Sequence, residues 1–235
     1  MLLLALDTAT PAVTVALHDG SRVLAAAGEV DARRHGELLL PAVDRVLAEA
    51  GHKLAEVSDI VVGVGPGPYT GLRVGLVTAT TFGAALGVPV HGLCSLDGIA
   101  HASGLTEPFV VATDARRKEV YWARYARPSP DHRPGTSRSA APLPLTRLTE
   151  PAVDRPADLA EQVAGVPAVG AGALLYDTVF TGVLRDGPAH QSAAALAELA
   201  ARKLAAGEEL LPPRPLYLRR PDAQVPANYK VVTPQ

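Results

Sequence analysis

The stretch Gly65-Pro66-Gly67-Pro68-Tyr69-Thr70-Gly71-Leu72-Arg73 restricts this chain more than any other. It follows the apolar run Ile60-Val61-Val62-Gly63-Val64 and precedes a long apolar-periodic segment. That order reads as a buried strand, a Gly/Pro turn and a helix start. Gly admits positive φ and Pro locks its own φ, so alternating them fixes a tight backbone path. Thr70 is the expected N-cap, its hydroxyl accepting an orphan N–H of the first turn. A loop that opens a helix can hold an anion. No Lys followed by Ser or Thr stands at the helix start, however, so the group that reaches phosphate in a P-loop is missing. The residues alone leave two readings open: a rigid strand-to-helix corner, or an anion-holding loop.

The chain has 235 residues, enough for one large domain or two small lobes. Hydrophobic residues make up 48%, which supports a sizeable core. A net charge of -2 makes the chain by itself a poor binder of nucleic acid, because neutralising phosphates needs a basic face. The single Cys94 excludes an internal disulfide framework and suits a reducing compartment. No apolar run reaches the ~18 residues of a membrane span, so no membrane partner is expected. Met1-Leu2-Leu3-Leu4-Ala5-Leu6 lacks a basic flank and is ended by Asp7, so it reads as a core strand. A cytoplasmic address is the expectation that follows.

Strands are expected over 2–6, 12–18 and 22–28, with Asp19-Gly20 as a hairpin turn. A helix is expected from about 34 to 50, where Leu38, Leu39, Val43, Val46, Leu47 and Ala50 recur at three- and four-residue spacing. Pro41 should kink it or mark its true start. Strand 60–64, helix 71–86 and strand 88–91 come next. The alternation argues an α/β fold. A second lobe is expected from near 108, with a strand at 109–113. In 119–126, Val120 and Trp122 share one face and Tyr121 and Tyr125 the other. Residues 128–144, rich in Pro, Ser and Arg, read as an exposed loop. A helix at 156–164, a strand at 166–170, an Ala-rich helix at 192–206 and an extended tail from Leu211 complete the order. The expected domains are 1–106 and 107–235.

Five segments occur in a recognisable order. They are Leu4-Ala5-Leu6-Asp7-Thr8-Ala9-Thr10, the Gly65–Arg73 loop, Val88-Pro89-Val90-His91-Gly92-Leu93-Cys94-Ser95-Leu96, Thr113-Asp114-Ala115-Arg116-Arg117-Lys118-Glu119-Val120-Tyr121 and Pro215-Leu216-Tyr217-Leu218-Arg219. In these the chain resembles the bacterial TsaB (YeaZ) family, the dimerization subunit of the tRNA threonylcarbamoyladenosine machinery. One departure is Pro68-Tyr69, where the family more often has a small polar residue and Phe. The resemblance implies an actin-like (ASKHA) α/β fold of two RNase H-like lobes, the second degenerate. It implies a subunit without catalysis, cofactor or metal. Such a subunit pairs with a TsaD-type catalytic subunit. With a TsaE-type ATPase, it supports threonylcarbamoyl transfer to the adenosine beside the anticodon of ANN-decoding tRNAs. tRNA is reached only through the complex, and the chain alone forms a homodimer. The implied interface comprises His35, Leu38, Leu39, Val43, Val46, Leu47, Tyr69, Leu72, Arg73, Leu76, Ala79 and Thr80. The rival reading is an actin-like small-molecule kinase or ATPase with its own nucleotide site.

Asp7, Thr8 and Thr10 stand where the actin-like class has a phosphate loop, in which a carboxylate holds hydrated metal and hydroxyls meet phosphate. The resemblance implies that this loop is vestigial; the alternative is that Asp7 caps a turn. Val169-Gly170-Ala171-Gly172-Ala173 is the nearest candidate for an adenosine loop. None of His18, His35, His52, His91, His101, His132 and His190 stands three to five residues from another, so no local metal pair exists. The resembling family's catalytic paralogue carries a His-x-x-x-His pair, whereas here Ser95 follows His91. Cys94, among small apolar residues, reads as a core hydrophobe. Neither a His-Glu-x-x-His nor a Gly-x-Ser-x-Gly motif occurs.

Gly71, Gly75, Ala79, Gly83 and Gly87 recur every four residues, drawing a ridge of small residues along the expected helix. Interior Gly costs about 1 kcal/mol relative to Ala, so the ridge implies close approach to another element. That element is either the chain's own sheet or helix, or a partner. Leu72, Leu76, Phe82 and Leu86 offer apolar contact on other faces. Arg73 opposes the helix macrodipole and so asks for a carboxylate or carbonyl partner, unless solvated. Arg116-Arg117-Lys118 is either a solvated hairpin turn or, in a tRNA-modifying assembly, a phosphate contact.

Overall fold

The computed structural model describes residues 1–127 and 145–219. The expected loop at 128–144, His132 and the end of the tail lie outside the described residues. The first sheet has the order β3-β2-β1-β4-β5. Its strands are β1 (Leu3–Asp7), β2 (Ala12–His18), β3 (Val23–Val30), β4 (Asp59–Gly63) and β5 (Val90–Leu93). β1, β2 and β3 run antiparallel, while β4 pairs parallel with both β1 and β5. Every residue of β1 and β2 is buried, as suits strands covered on both faces.

Helices α1 (His35–Ala50) and α2 (Tyr69–Leu86) cover one face. Leu39, Val43, Val46, Leu72, Leu76 and Ala79 pack there on Leu4, Leu6, Val15 and Val62. The opposite face is covered by a helix from the far end of the chain. Before it come α3 (Ser95–Ser103), α4 (Pro156–Val163) and α5 (Ala171–Leu175), and α6 (Ala193–Ala205) lays Leu196, Ala197 and Ala200 on Leu3, Ala5, Ala16 and Val61. The expected division after residue 106 is therefore crossed by packing. It is crossed again where Leu211 exchanges backbone hydrogen bonds with Gly92 and where Leu216 N–H donates to the Val64 carbonyl at 2.8 Å.

The second sheet repeats the pattern with shorter outer strands. These are β6 (Phe109–Asp114), β7 (Val120–Ala126), β8 (Thr146–Arg147), β9 (Ala152–Asp154), β10 (Pro167–Val169) and β11 (Gly182–Val183). β6 sits centrally, antiparallel to β7 and parallel to β10, and β11 runs parallel to β10. β8 and β9 both pair antiparallel with β7. β6 thus occupies the place that β1 holds in the first sheet. This is an actin-like α/β fold of two RNase H-like lobes, the second degenerate.

Three local expectations change. α2 begins at Tyr69 with Pro68 as its N-cap, and Thr70 lies within the first turn and caps nothing. Leu72 N–H instead donates to the Pro68 carbonyl at 3.1 Å. α1 runs through Pro41, which lies on the exposed side of the helix. Gly87 leaves the ridge altogether: at φ +68 it is the left-handed C-cap of α2.

Candidate functional site

The turn after β1 is sealed by the chain itself. Asp7 is fully buried, and its Oδ1 accepts the Ala9 N–H at 2.8 Å. Burial pushes its carboxyl up to about 6, against the Ala9 N–H and Ser95 hydroxyl that favour the ionised form. The Thr8 hydroxyl donates to the Gly71 carbonyl at 2.8 Å and accepts the Gly75 N–H at 2.9 Å. Thr10 Oγ1 donates to Gln191 Oε1 and accepts the Ala12 N–H at 3.2 Å. Gln191 Nε2 in turn donates to the Ala12 carbonyl at 2.8 Å. His35 Nε2 donates to the Thr10 carbonyl at 2.8 Å, which ties the start of α1 to the same turn. A Cβ on Gly67 would collide with the Ala9 carbonyl oxygen, so the Gly/Pro corner lies directly on the turn.

The small-residue ridge faces this turn and the sheet. A Cβ on Gly75 would meet Thr8 Oγ1 at 2.6 Å, and the Cβ of an Ala at 71 would lie 2.9 Å from the Thr8 carbonyl oxygen. At Gly83 a Cβ would collide with Val90. Of the two readings of the ridge, the chain's own sheet is the one observed.

The residues expected at an interface divide accordingly. Tyr69, Arg73 and Thr80 are exposed and Leu38 is half-buried. His35, Leu39, Val43, Val46, Leu47, Leu72, Leu76 and Ala79 are buried within the chain, so they are corrected to core positions. A helix spends its best periodic apolar stripe on its own sheet. The residues left over are Leu40 and Val77, exposed at 50% and 62%, beside Tyr69 at 53%. With Gly36, Val74 and Thr78 they line a groove between α1 and α2. The signal for Leu40 was present in the sequence: Leu38-Leu39-Leu40 cannot all face one sheet.

Among the described residues Arg73 meets neither a carboxylate nor a carbonyl. Its guanidinium lies 3.5 Å from the Tyr69 ring centroid, and its Nε donates to the Tyr217 hydroxyl at 3.0 Å. Tyr69 and Tyr217 stack with centroids 5.2 Å apart. Tyr217 and Gln191 come from sequence positions that no local pattern links to α2 or β1.

The remaining candidates have structural surroundings. Cys94 is fully buried among Leu96, Ile99 and Phe109, and burial pushes its thiol up. His91 faces Asp59 on the neighbouring strand at 3.5 Å. Gly170 and Gly172 lie against the backbone of Ala112 and Thr113 and open only the short α5. Among the described residues no three His, Cys, Asp or Glu side chains converge as a metal site. Nor is any described helix long and apolar enough to cross a membrane.

Residues 27–183 match the family model for TsaD, tRNA N6-adenosine threonylcarbamoyltransferase. The chain is 41% identical to an uncharacterised protein of Mycobacterium tuberculosis over 233 residues, covering 94% of this chain and 93% of that one. It is 37% identical over 132 residues to the Escherichia coli tRNA threonylcarbamoyladenosine biosynthesis protein TsaB. That match covers 54% of this chain and 56% of that protein, so the chain spans about half the length of the curated TsaB relatives it matches. The solved structure of YeaZ from Pseudomonas aeruginosa superposes with a TM-score of 0.72 at 31% identity, covering 92% of this chain and 100% of that one.

Proposed function

This chain belongs to the TsaB (YeaZ) family, and on that premise we propose that it serves tRNA threonylcarbamoyladenosine biosynthesis as a non-catalytic scaffold subunit. It pairs with a TsaD-type catalytic subunit and works with a TsaE-type ATPase. The assembly transfers a threonylcarbamoyl group to the adenosine beside the anticodon of ANN-decoding tRNAs, and the scaffold reaches tRNA only within it. Alone, the chain self-associates through the surface that the partner otherwise takes.

The observation that carries this reading is the exposed apolar groove between α1 and α2, with Leu40, Tyr69 and Val77 at its rim. Burying an exposed Val or Leu side chain is worth about 1.5–3 kcal/mol, so the groove has a strong tendency to be covered. The turn after β1 supports the absence of catalysis. Its hydroxyls on Thr8 and Thr10 are engaged internally, and its carboxylate on Asp7 has no access to solvent. A phosphate would have to displace those bonds, which disfavours the kinase or ATPase reading.

Co-purification with the TsaD-type subunit tests the proposal. Leu40→Glu and Val77→Glu should each fold normally and lose the partner, and tRNA modification in the reconstituted system should fall with them. Wild-type partner affinity in the double variant would remove the groove from the account. ATP turnover by the chain alone, abolished by Asp7→Asn, would overturn the non-catalytic reading.

A further inference from the structure

Of the residues that line the α1–α2 groove, Arg73 carries a charge, and the others are apolar residues, glycine, threonine or tyrosine. Arg73 stands near the N-terminal, positive end of α2, an electrostatically poor place for a cation. Its geometry is nonetheless fixed from two sides. The Tyr69 ring covers one face of the guanidinium, 3.5 Å from centroid to carbon, and Nε donates to the Tyr217 hydroxyl at 3.0 Å. Tyr217 arrives from the C-terminal segment. That segment is fastened on either side of it, by Leu216 N–H on the Val64 carbonyl at 2.8 Å and by Arg219 on the Ala115 carbonyl at 3.2 Å. The clasp engages Nε and one face of the guanidinium fork. Among the described residues the two terminal nitrogens meet no acceptor.

Arg73, Tyr69 and Tyr217 are all exposed in the chain alone, so water serves the fork. Covering the groove changes that. Water is expelled, and Leu40, Val74 and Val77 offer a guanidinium nothing in return. A cation covered without a counter-charge is costly, so the covering surface must supply an anion at this point. A second copy of the chain, laid groove to groove in a two-fold contact, brings only the same uncharged lining and another Arg73. Glu37, in the first turn of α1, is already held by Arg34 at 3.1 Å.

We propose that Arg73 selects the catalytic partner over a second copy of this chain, by receiving an Asp or Glu carboxylate of that partner on the fork that Tyr69 and Tyr217 hold in place. This deepens the scaffold reading and rests on it. A guanidinium fork matches a carboxylate through two parallel hydrogen bonds, and a fork already held loses little entropy on binding. The selection comes from the difference between two pairings. With the catalytic partner the charge is matched, and in the homodimer it is covered without a match. One cation on an apolar rim is a poor site for RNA, which needs several phosphates neutralised together.

The test uses the full chain and its TsaD-type subunit. Partner affinity is read by calorimetry at low and high salt, and self-association of the chain alone by sedimentation. Arg73→Gln should weaken partner binding by about tenfold at low salt and lessen its salt dependence. Self-association of the same variant should be unchanged or tighter, because an unmatched cation has been removed from the covered surface. Tyr217→Phe keeps the ring on Tyr69 and removes the hydroxyl that fixes Nε. It should weaken partner binding by about threefold and leave the melting temperature near that of the wild type. Wild-type partner affinity in Arg73→Gln would overturn the proposal. So would an equal loss of both associations, which would mean that Arg73 only shapes the groove. Unchanged partner affinity with weaker tRNA binding by the assembled complex would overturn it too, and would make Arg73 a phosphate contact. A wild-type chain that forms no complex would instead overturn the scaffold reading beneath it.

Discussion

Gly75 gives its backbone N–H to the hydroxyl of Thr8 at 2.9 Å, and a Cβ at position 75 would lie 2.6 Å from that same oxygen. The Thr8 hydroxyl in turn donates a hydrogen bond to the carbonyl of Gly71. The hydroxyl thus bridges two groups that an α-helix ordinarily joins directly. The turn after β1 is built into the ladder of α2, and only a residue without a side chain permits it.

Gly75→Ala should destabilise the protein by about 1–3 kcal/mol through overpacking against Thr8. Thr8→Val, which keeps the shape but removes the hydroxyl, should cost about 1–3 kcal/mol by leaving buried groups unpaired. Denaturant unfolding of both and of the double variant reads the coupling. Strict additivity would show that the two residues do not act as one unit.

Asp7 gives a pH dependence of defined sign. Its folded-state pKa is raised to about 6 from 3.8, so between those values the native state binds more protons than the unfolded state. Stability therefore falls as pH rises through that window, and the full cost persists above it. Asp7→Asn keeps an acceptor for the Ala9 N–H and removes the charge. It should flatten this slope and add about 2–3 kcal/mol at pH 8. A variant with the wild-type pH profile would refute the assignment.

Adjacent positions on α2 should behave oppositely. Leu76 is 6% exposed and packs in the core under the helix, whereas Val77 is 62% exposed. Leu76→Glu should unfold the protein or cost about 3 kcal/mol or more, because it buries an unpaired charge. Val77→Glu should stay within about 0.5 kcal/mol of wild type. Thermal unfolding of the pair decides, and equal melting temperatures would contradict the helix orientation.

Tyr217→Ala removes the stack on Tyr69 and the acceptor of Arg73 Nε. The expected loss is about 0.5–1.5 kcal/mol. The sharper readout is limited proteolysis with mass analysis. Cleavage within 211–219 should speed up while the sheets stay resistant, and an unchanged pattern would mean that Tyr217 does not anchor the segment.

Much of the architecture was legible in the sequence. The apolar runs of β1 and β2 and the spacing of Leu39, Val43 and Val46 place strands and helices within a residue or two. Strands of two or three residues such as β8, β9 and β11 are too short to show a period. α3 shows little period, because Ser95–Ser103 is brief and carries Gly98 next to its midpoint. The site was less legible. Spacing shows that Gly71, Gly75, Ala79 and Gly83 share a face, but not what that face meets. The strongest apolar positions on α1 and α2, expected at an interface, form the core. Gln191 on Thr10 and Tyr217 on Arg73 depend on contacts across most of the chain, which no local pattern encodes.

The placement of α6 bears on how the molecule is made. Leu3, Ala5, Ala16 and Val61 are covered by Leu196, Ala197 and Ala200, which leave the ribosome last among these residues. At roughly 5–20 residues per second, β5 waits on the order of 5–20 s for the helix that closes its sheet. During that interval the nascent sheet presents an uncovered apolar face. In order of synthesis, the first lobe is begun first and finished last.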